Sequence, residues 1–280
     1  METMTNRIAT YREQGFLIVP DALDSVQLDA VRAEATAICR GERGIVRGAE
    51  ATDGDVLRRY LCIHFPHKIS ALFRDIARTP SVVDTLTDII GPNIKMMQSM
   101  LFIKAEGKPG QAWHQDEAHI PTRDRSLAAA WIALDDATVE NGCLWVIPGS
   151  HRRGVIYPVR DQQDRRFDCT QEAYQFGYRE EDAIPVEIPA GAALIFNGYL
   201  LHRSLPNNGS RGLRRALVHH YMSAESLLPW LRPAADSPGM ALHDHRDIEL
   251  IAGEDPYAYV GTTDIMRPGV RPDGDGGCVR

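Results

Sequence analysis

Trp113, His114, Gln115 and Asp116, taken with His202 and the arginine pair Arg214 and Arg215, are the residues of this 280-residue chain whose types and spacing could do chemistry. Two imidazoles and one carboxylate suffice to cap one face of an octahedral iron(II). Three coordination positions then stay open for a co-substrate and dioxygen. A histidine followed two residues later by an acid says little alone, because ten histidines and 38 acidic residues supply roughly one such pair by chance. Geometry adds to it: in a strand, residues two apart share a face, so His114 and Asp116 would point at one metal together.

The elements that must position these residues fall into two textures. Residues 5–14 read as a helix, and Gly15 to Pro20 as a brief strand stopped by proline. Asp24 or Ser25 caps a helix running to about Arg40, with Leu28, Val31, Ala35 and Ile38 at helical spacing. The stretch from Gly41 to Asp55 reads as a loop. A helix pair over about 67–77 and 81–90 follows and stops at Gly91-Pro92.

From Lys95 the chain turns to strands: 96–103, 112–116, 126–134, 143–147, 185–188, 192–196 and 214–222, separated by Gly, Pro and Asn turns. Many short strands downstream of helices predict an antiparallel sandwich or barrel with a helical layer on one face. Residues 159–182 read as a long polar insertion, either a lid or binding loop or else disordered. The tail from Glu225 is expected to wrap the domain. The chain is expected to be one domain, with N-terminal helices over about 5–92, a core over about 95–222 and the tail over 225–280.

A formal charge of −7 argues against nucleic acid or an anionic membrane as partner and leaves a small-molecule substrate. The clusters at Arg152-Arg153 and Arg165-Arg166 read as solvated surface. Five scattered cysteines without CxxC spacing fit free or buried thiols in a reducing compartment. With no apolar leader and no run long enough to span a bilayer, the expected location is the cytoplasm. Oligomeric state is not legible.

The surroundings of the metal pair give it weight. After it come Trp131 to Ala137, then Glu140 to Trp145 leading into the turn Pro148-Gly149-Ser150, and Pro189-Ala190-Gly191 ahead of an apolar strand that delivers His202. This series, from Tyr11 and Gly15 to about Tyr221, resembles the phytanoyl-CoA dioxygenase family of iron(II)- and 2-oxoglutarate-dependent oxygenases. The resemblance implies a mainly β fold with helices, a double-stranded β-helix (jelly-roll, cupin-like) barrel behind an N-terminal helical layer. It implies Fe(II) held by His114, Asp116 and His202, with 2-oxoglutarate and O2 as co-substrates. Matching the family's Arg-Arg-Ala triplet to Arg214-Arg215-Ala216 makes Arg214 the clamp on the distal carboxylate. The loop before it is one residue longer than the commonest spacing, so Arg215 stays open as the alternative. Ser204 matches a position that hydrogen-bonds the same carboxylate, and Trp131 an aromatic wall beside it. Gln98 is a further candidate, because a polar residue in an apolar strand needs a partner.

His119, three residues past Asp116, is the candidate for substrate contact. Of His219 and His220, on opposite faces of one strand, at most one points inward, as a core residue or a support to the ligands. His151 reads as structural, His243-Asp244-His245 as a metal mimic in a turn-rich tail, and His64 and His67 as cleft border or surface. The activity implied is hydroxylation of a small or medium-sized metabolite with release of succinate and CO2. The carboxylate of Asp116 favours hydroxylation over halogenation, and desaturation, ring formation or epimerisation can follow the same hydrogen abstraction. Two rival readings use the same residues: a zinc or manganese isomerase or hydrolase on the same barrel, with no use for an arginine clamp, and a non-catalytic binding barrel.

Overall fold

The computed structural model describes residues 4–49, 56–59, 62–209, 212–226 and 247–271. The N-terminal layer holds helices α1 (Met4–Gln14), α2 (Ser25–Cys39), α3 (Val56–Arg59), α4 (Ala71–Ile76) and α5 (Pro80–Ile90). Strand β1 (Phe16–Val19) lies between the first two, and β2 (Cys62–His64) follows α3. Helix α2 starts where its cap predicts: the Asp24 carboxylate accepts from the Gln27 amide at 2.8 Å, and the Gln27 side chain accepts from the Asp24 amide at 3.1 Å. It buries Leu28, Val31, Ala35 and Ile38.

The helix expected from about His67 begins later. Residues Pro66–Lys68 form a 3-10 turn, and Ser70 is extended, its hydroxyl accepting from Phe73 N to start α4. The Gly41–Asp55 loop is described only up to residue 49.

The remaining strands are β3 (Ile94–Lys104), β4 (Gln111–His114), β5 (Ala128–Ala133), β6 (Leu144–Val146), β7 (Val159–Arg160), β8 (Glu172–Ala173), β9 (Ile184–Val186), β10 (Ala193–Asn197), β11 (His202–Ser204), β12 (Arg214–Ser223), β13 (Glu249–Ala252) and β14 (Gly269–Val270). An eight-stranded sheet runs β1-β10-β5-β12-β3-β2-β14, with β13 also on β3; a four-stranded sheet runs β4-β11-β6-β9. This is the mainly β jelly-roll architecture, in two sheets rather than one closed barrel.

The central strands of the large sheet are buried on both faces, which is why they read as apolar runs. Ala128, Ala130 and Ile132 of β5 and Leu217 and Tyr221 of β12 pack with Val31, Phe73 and Leu86 of the helices. The alternate residues Ala129, Trp131, Ala133, Ala216 and Val218 pack instead with Leu144 and Val146 of the small sheet. Gly191 permits the tight entry to β10: its φ is +87°, and a Cβ there would run into the Leu23 carbonyl.

The 159–182 insertion is ordered. Strands β7 and β8 pair, and Tyr157, Ala173 and Phe176 cover Trp113, Ile147 and Leu201 on the outer face of the small sheet. The described part of the tail, residues 247–271, adds strands not legible in the sequence, β13 on β3 and β14 on β2. Cys62 and Cys143 are buried free thiols. Among the described residues, no helix is long and apolar enough to cross a membrane.

Candidate metal centre and co-substrate pocket

His114 closes β4 and His202 opens β11, and the two are register partners across the small sheet. Their rings lie 4.0 Å apart, centroid to centroid. Each ring is oriented the same way. His114 Nδ1 lies 2.8 Å from the Ala112 carbonyl and His202 Nδ1 lies 3.0 Å from the Leu200 carbonyl, each two residues back. A proton on Nδ1 satisfies those carbonyls and turns the Nε2 lone pairs inward, the arrangement a metal requires.

The turn Pro148 to Ser150 holds the chain ahead of His202. The Ser150 hydroxyl accepts from Leu201 N at 2.9 Å, and Ile147 N donates to the Leu201 carbonyl. His202 thus opens a strand after a turn, rather than ending the strand that follows Pro189-Ala190-Gly191.

Asp116 does not lie in the strand expected over 112–116. Pairing ends at His114, and Asp116 begins a 3-10 turn, Asp116–Ala118. The shared face survives because Gln115 stays extended, at φ −127° and ψ 129°, so the alternation runs one residue beyond the ladder. Trp113 and Gln115 point to the opposite side. Gln115 Nε2 donates to the Val155 and Tyr199 carbonyls, and its Oε1 accepts from Tyr157 N, which fixes the segment from behind.

Asp116 Oδ1 lies 3.7 Å from His114 Nε2 and 3.6 Å from His202 Nε2. Among the described residues, these three form the one cluster with ligand atoms mutually within 4.8 Å. Asp116 Oδ2 is engaged by His220 Nε2 at 3.1 Å. Burial pushes the Asp116 carboxyl up, but His202, His220 and His114 outweigh it and hold the group below the usual carboxylate range. Burial, reinforced by neighbouring His202, keeps His114 from protonating. The donor set, two imidazoles with Nε2 turned inward and a carboxylate held ionised, fits a divalent iron.

These residues face a cavity of about 430 Å³ between the sheets, which Gln98, His119, Trp131, Ser204, Arg214 and His220 also line. The ligand triad and the candidates Gln98, His119, Trp131, Ser204 and Arg214 therefore lie on the walls of one cavity. Arg214 is 2% exposed, stands 5.3 Å over the Trp131 ring, and its Nε is buried without a hydrogen-bond partner. Burial lowers its pKa to about 10, still leaving a cation at neutral pH. Arg215 points the other way: its Nε and Nη2 lie 2.9 and 2.8 Å from the Asp135 carboxylate, and its amide donates to the same group. An unpartnered buried guanidinium beside the metal triad fits a planar carboxylate arriving from outside.

Ser204 Oγ lies 2.9 Å from Lys104 Nζ and 3.2 Å from Gln111 N, both donors to it. With both lone pairs taken, its own proton is left to donate elsewhere. Lys104 was not singled out in the sequence. It is 2% exposed, and Arg214 is its register partner on β12. Gln98 finds its partner in His64, Nε2 to Nδ1 at 3.0 Å. His119 is exposed at the cavity wall.

His219 faces the helices, Nε2 3.1 Å from the Phe73 carbonyl, while His220 faces the metal ligands. His151 binds the Arg12 carbonyl through Nε2 at 3.1 Å, a structural contact. His67 is buried against Ser99 Oγ at 2.6 Å. His243-Asp244-His245 lies outside the described residues. Further lining residues that the sequence did not flag are Phe65, held at φ 57°, Thr170 of the insertion and Arg271 of the tail.

A jelly roll that turns two histidines and a carboxylate into an open cavity is the scaffold class of the mononuclear non-haem iron oxygenases. Within that class the chain belongs to the phytanoyl-CoA dioxygenase family, whose model matches residues 11–216. It is 30% identical over 158 residues to a phytanoyl-CoA dioxygenase of Arabidopsis thaliana, an alignment covering 56% of this chain and 54% of that protein. Against phytanoyl-CoA dioxygenase 1 of Oryza sativa subsp. japonica, it is 32% identical over 58% of this chain and 57% of the relative. The chain thus matches little more than half the length of these curated relatives. Among solved structures, the non-haem monooxygenase ThoJ superposes with a TM-score of 0.68 at 22% identity, over 95% of this chain and 88% of that one. The epimerase SnoN, in complex with Fe3+, alpha ketoglutarate and nogalamycin RO, gives 0.62 at 21% identity over 90% and 96%. At these identities the likeness is one of fold.

Proposed function

We propose that this protein is an Fe(II)- and 2-oxoglutarate-dependent dioxygenase that hydroxylates a small or medium-sized metabolite. The observation that carries the reading is the pairing of two features in one cavity. A triad with matched imidazole orientation faces a buried arginine, Arg214, whose Nε has no partner. A zinc hydrolase or isomerase would use the triad but has no use for that guanidinium. SnoN, similar in fold, is described with iron and alpha ketoglutarate together, which agrees with this assignment.

His114, Asp116 and His202 would hold the iron, and Arg214 with Ser204 would hold the distal carboxylate of 2-oxoglutarate against Trp131. Bound there, iron and 2-oxoglutarate would supply the oxidation: one oxygen atom of O2 goes to succinate as CO2 leaves, the other to the substrate. The protein's own contributions are orientation and exclusion. His220 fixes the second oxygen of Asp116. Lys104 and the Gln111 amide fill the acceptor positions of Ser204, so its proton points to an incoming carboxylate. The apolar walls Trp131, Phe196 and Val218 keep water from the ligands.

The test is succinate release in the presence of iron(II), 2-oxoglutarate and oxygen, with product mass spectrometry under isotopically labelled dioxygen. Hydroxylation adds one labelled oxygen to the substrate, whereas desaturation or epimerisation adds none. SnoK, of similar fold, is described as a carbocyclase, so label incorporation is the deciting readout for reaction type. Absence of oxygen-dependent succinate across iron-loaded protein would refute the reading.

A further inference from the structure

One cation on the cavity wall is not used by the metal or the co-substrate. Strand β14 adds to the edge of the large sheet with Gly269 opposite His64 and Val270 opposite Ile63, and Arg271 N then donates to the Cys62 carbonyl at 2.8 Å. This seats the Arg271 side chain in the cavity wall, its guanidinium 5.4 Å from the centre of the Phe102 ring and next to Thr170. Nη1 is held by Asp168 Oδ2 at 2.9 Å. Asp168 is 1% exposed and already committed, its Oδ1 accepting from Thr170 N at 3.0 Å and Thr170 Oγ1 at 2.5 Å. The acid is a fixed anchor behind the arginine and is not itself part of the cavity lining. Asp168 comes from the 159–182 insertion and Arg271 from the tail. Arg271 lies beyond the stretch matched by the family model, residues 11–216.

A count of charge shows what the wall lacks. The charged side chains among the described lining residues are Asp116, Arg214 and Arg271. In the proposed complex, iron(II), Asp116, dianionic 2-oxoglutarate and Arg214 sum to zero. Arg271, its charge met from behind by Asp168, remains as the one cation among the described lining residues that the iron and the co-substrate would not use. The neighbouring His64 does not add to it, since burial and Arg271 itself lower its pKa to about 4. A dianionic phosphate would call for a second cation, and no other Lys or Arg lines the cavity among the described residues. A planar monoanion matches a single guanidinium fork.

We propose that Arg271, anchored by Asp168, recognises a carboxylate on the primary substrate, which makes this an oxygenase of carboxylic acids. The proposal rests on the oxygenase reading, because the co-substrate must occupy Arg214 for Arg271 to be left over.

The experiment uses the full-length protein loaded anaerobically with iron(II) and 2-oxoglutarate. The probes are medium-chain fatty acids, arylacetic acids and N-acetylamino acids, each beside its own primary amide. Substrate entry is read as a perturbation of the iron–2-oxoglutarate charge-transfer band. At least one acid is expected to perturb it with about tenfold or greater preference over its amide, the value of one charge-assisted contact. Arg271→Gln should erase that preference while 2-oxoglutarate still binds within about twofold, which also shows that the variant is folded. Arg271→Lys, keeping charge but not the fork, should retain part of it.

Amides binding as well as acids, no acid perturbing the band, or a preference surviving Arg271→Gln would each overturn the proposal. A loss of 2-oxoglutarate affinity in Arg271→Gln would overturn it too, by assigning the cation to the co-substrate. A missing band in unliganded wild type would instead refute the oxygenase reading on which it rests.

Discussion

Replacing Arg214 and Arg215 separately by Met should move affinity and stability in opposite directions, although the two residues are adjacent and chemically identical. Arg214 is buried with its Nε unpartnered, and its register partner is the equally buried Lys104. Its side chain would make two charge-assisted hydrogen bonds to the distal carboxylate of 2-oxoglutarate. Their loss costs about 3–4 kcal/mol, or roughly a 10²- to 10³-fold weaker affinity. In the ligand-free protein the same substitution removes a desolvated cation, so apoprotein stability should hold or rise by about 1–2 kcal/mol.

Arg215 is the reverse case. Its bidentate contact with Asp135 is largely buried, the side chains being 12% and 17% exposed. Met at this position leaves that carboxylate only the residue-215 amide, at 2.9 Å, and the more distant Arg32 guanidinium, at 3.7 Å. The expected cost is about 2–3 kcal/mol of stability, with 2-oxoglutarate affinity unchanged within about threefold. Urea denaturation of both apoproteins and anaerobic 2-oxoglutarate titration of both iron-loaded forms give the four numbers. If Arg214→Met binds 2-oxoglutarate normally, or Arg215→Met loses binding at full stability, the assignment of the two arginines is wrong.

Three further outcomes follow from the same geometry. His220→Phe should weaken iron(II) affinity about 10- to 100-fold, measured by competition with a chromophoric chelator, because Asp116 loses its 3.1 Å partner; His220→Gln should restore part of it, and unchanged affinity would remove His220 from the site. Lys104→Met should raise the KM for 2-oxoglutarate about three- to tenfold in uncoupled turnover with kcat nearly kept, since Ser204 loses the donor that orients it; an unchanged KM would make Lys104 purely structural. Apoprotein stability should fall as pH drops from about 6.5, because burial lowers the pKa of both His67 and His219 to about 3. The unfolded chain, with histidines near 6.5, then binds protons that the folded one refuses. The contribution is complete above about pH 6.5 and is lost at up to about 1.4 kcal/mol per pH unit for each residue down to about pH 3. His219→Gln should flatten that dependence by about one proton, and parallel curves for variant and wild type would contradict the account.

Much of the site was legible because it depends on local alternation. The inward pair His114 and Asp116, with Trp113 and Gln115 outward, follows from period two, even though the ladder ends one residue earlier than the pattern suggests. The same parity was available on β12: with Arg214 inward, Ala216, Val218 and His220 share its face, while Arg215, Leu217, His219 and Tyr221 turn to the helices. That would have marked His220 as the histidine near the metal. Parity alone could not choose between Arg214 and Arg215, since the choice rests on Asp135, 80 residues before Arg215, taking that one.

What stayed hidden depends on contacts between distant segments. β2 is three residues long and gains meaning only when β3 and β14 flank it. Arg271 enters the cavity through that pairing, and Lys104 matters only because β11 brings Ser204 to it. Phe65 adopts a left-handed backbone conformation that bulky residues avoid, so no propensity could have placed it on the cavity wall.

The central claim is that His114, Asp116 and His202 hold one iron to which 2-oxoglutarate adds under the hold of Arg214. Anaerobic titration of the iron(II) protein with 2-oxoglutarate tests it most directly. The account predicts a visible charge-transfer band that saturates at one 2-oxoglutarate per iron, that His114→Ala abolishes, and that Arg214→Met shifts to far higher concentration. A wild-type protein that binds iron and shows no band, or a band indifferent to His114→Ala, would contradict it.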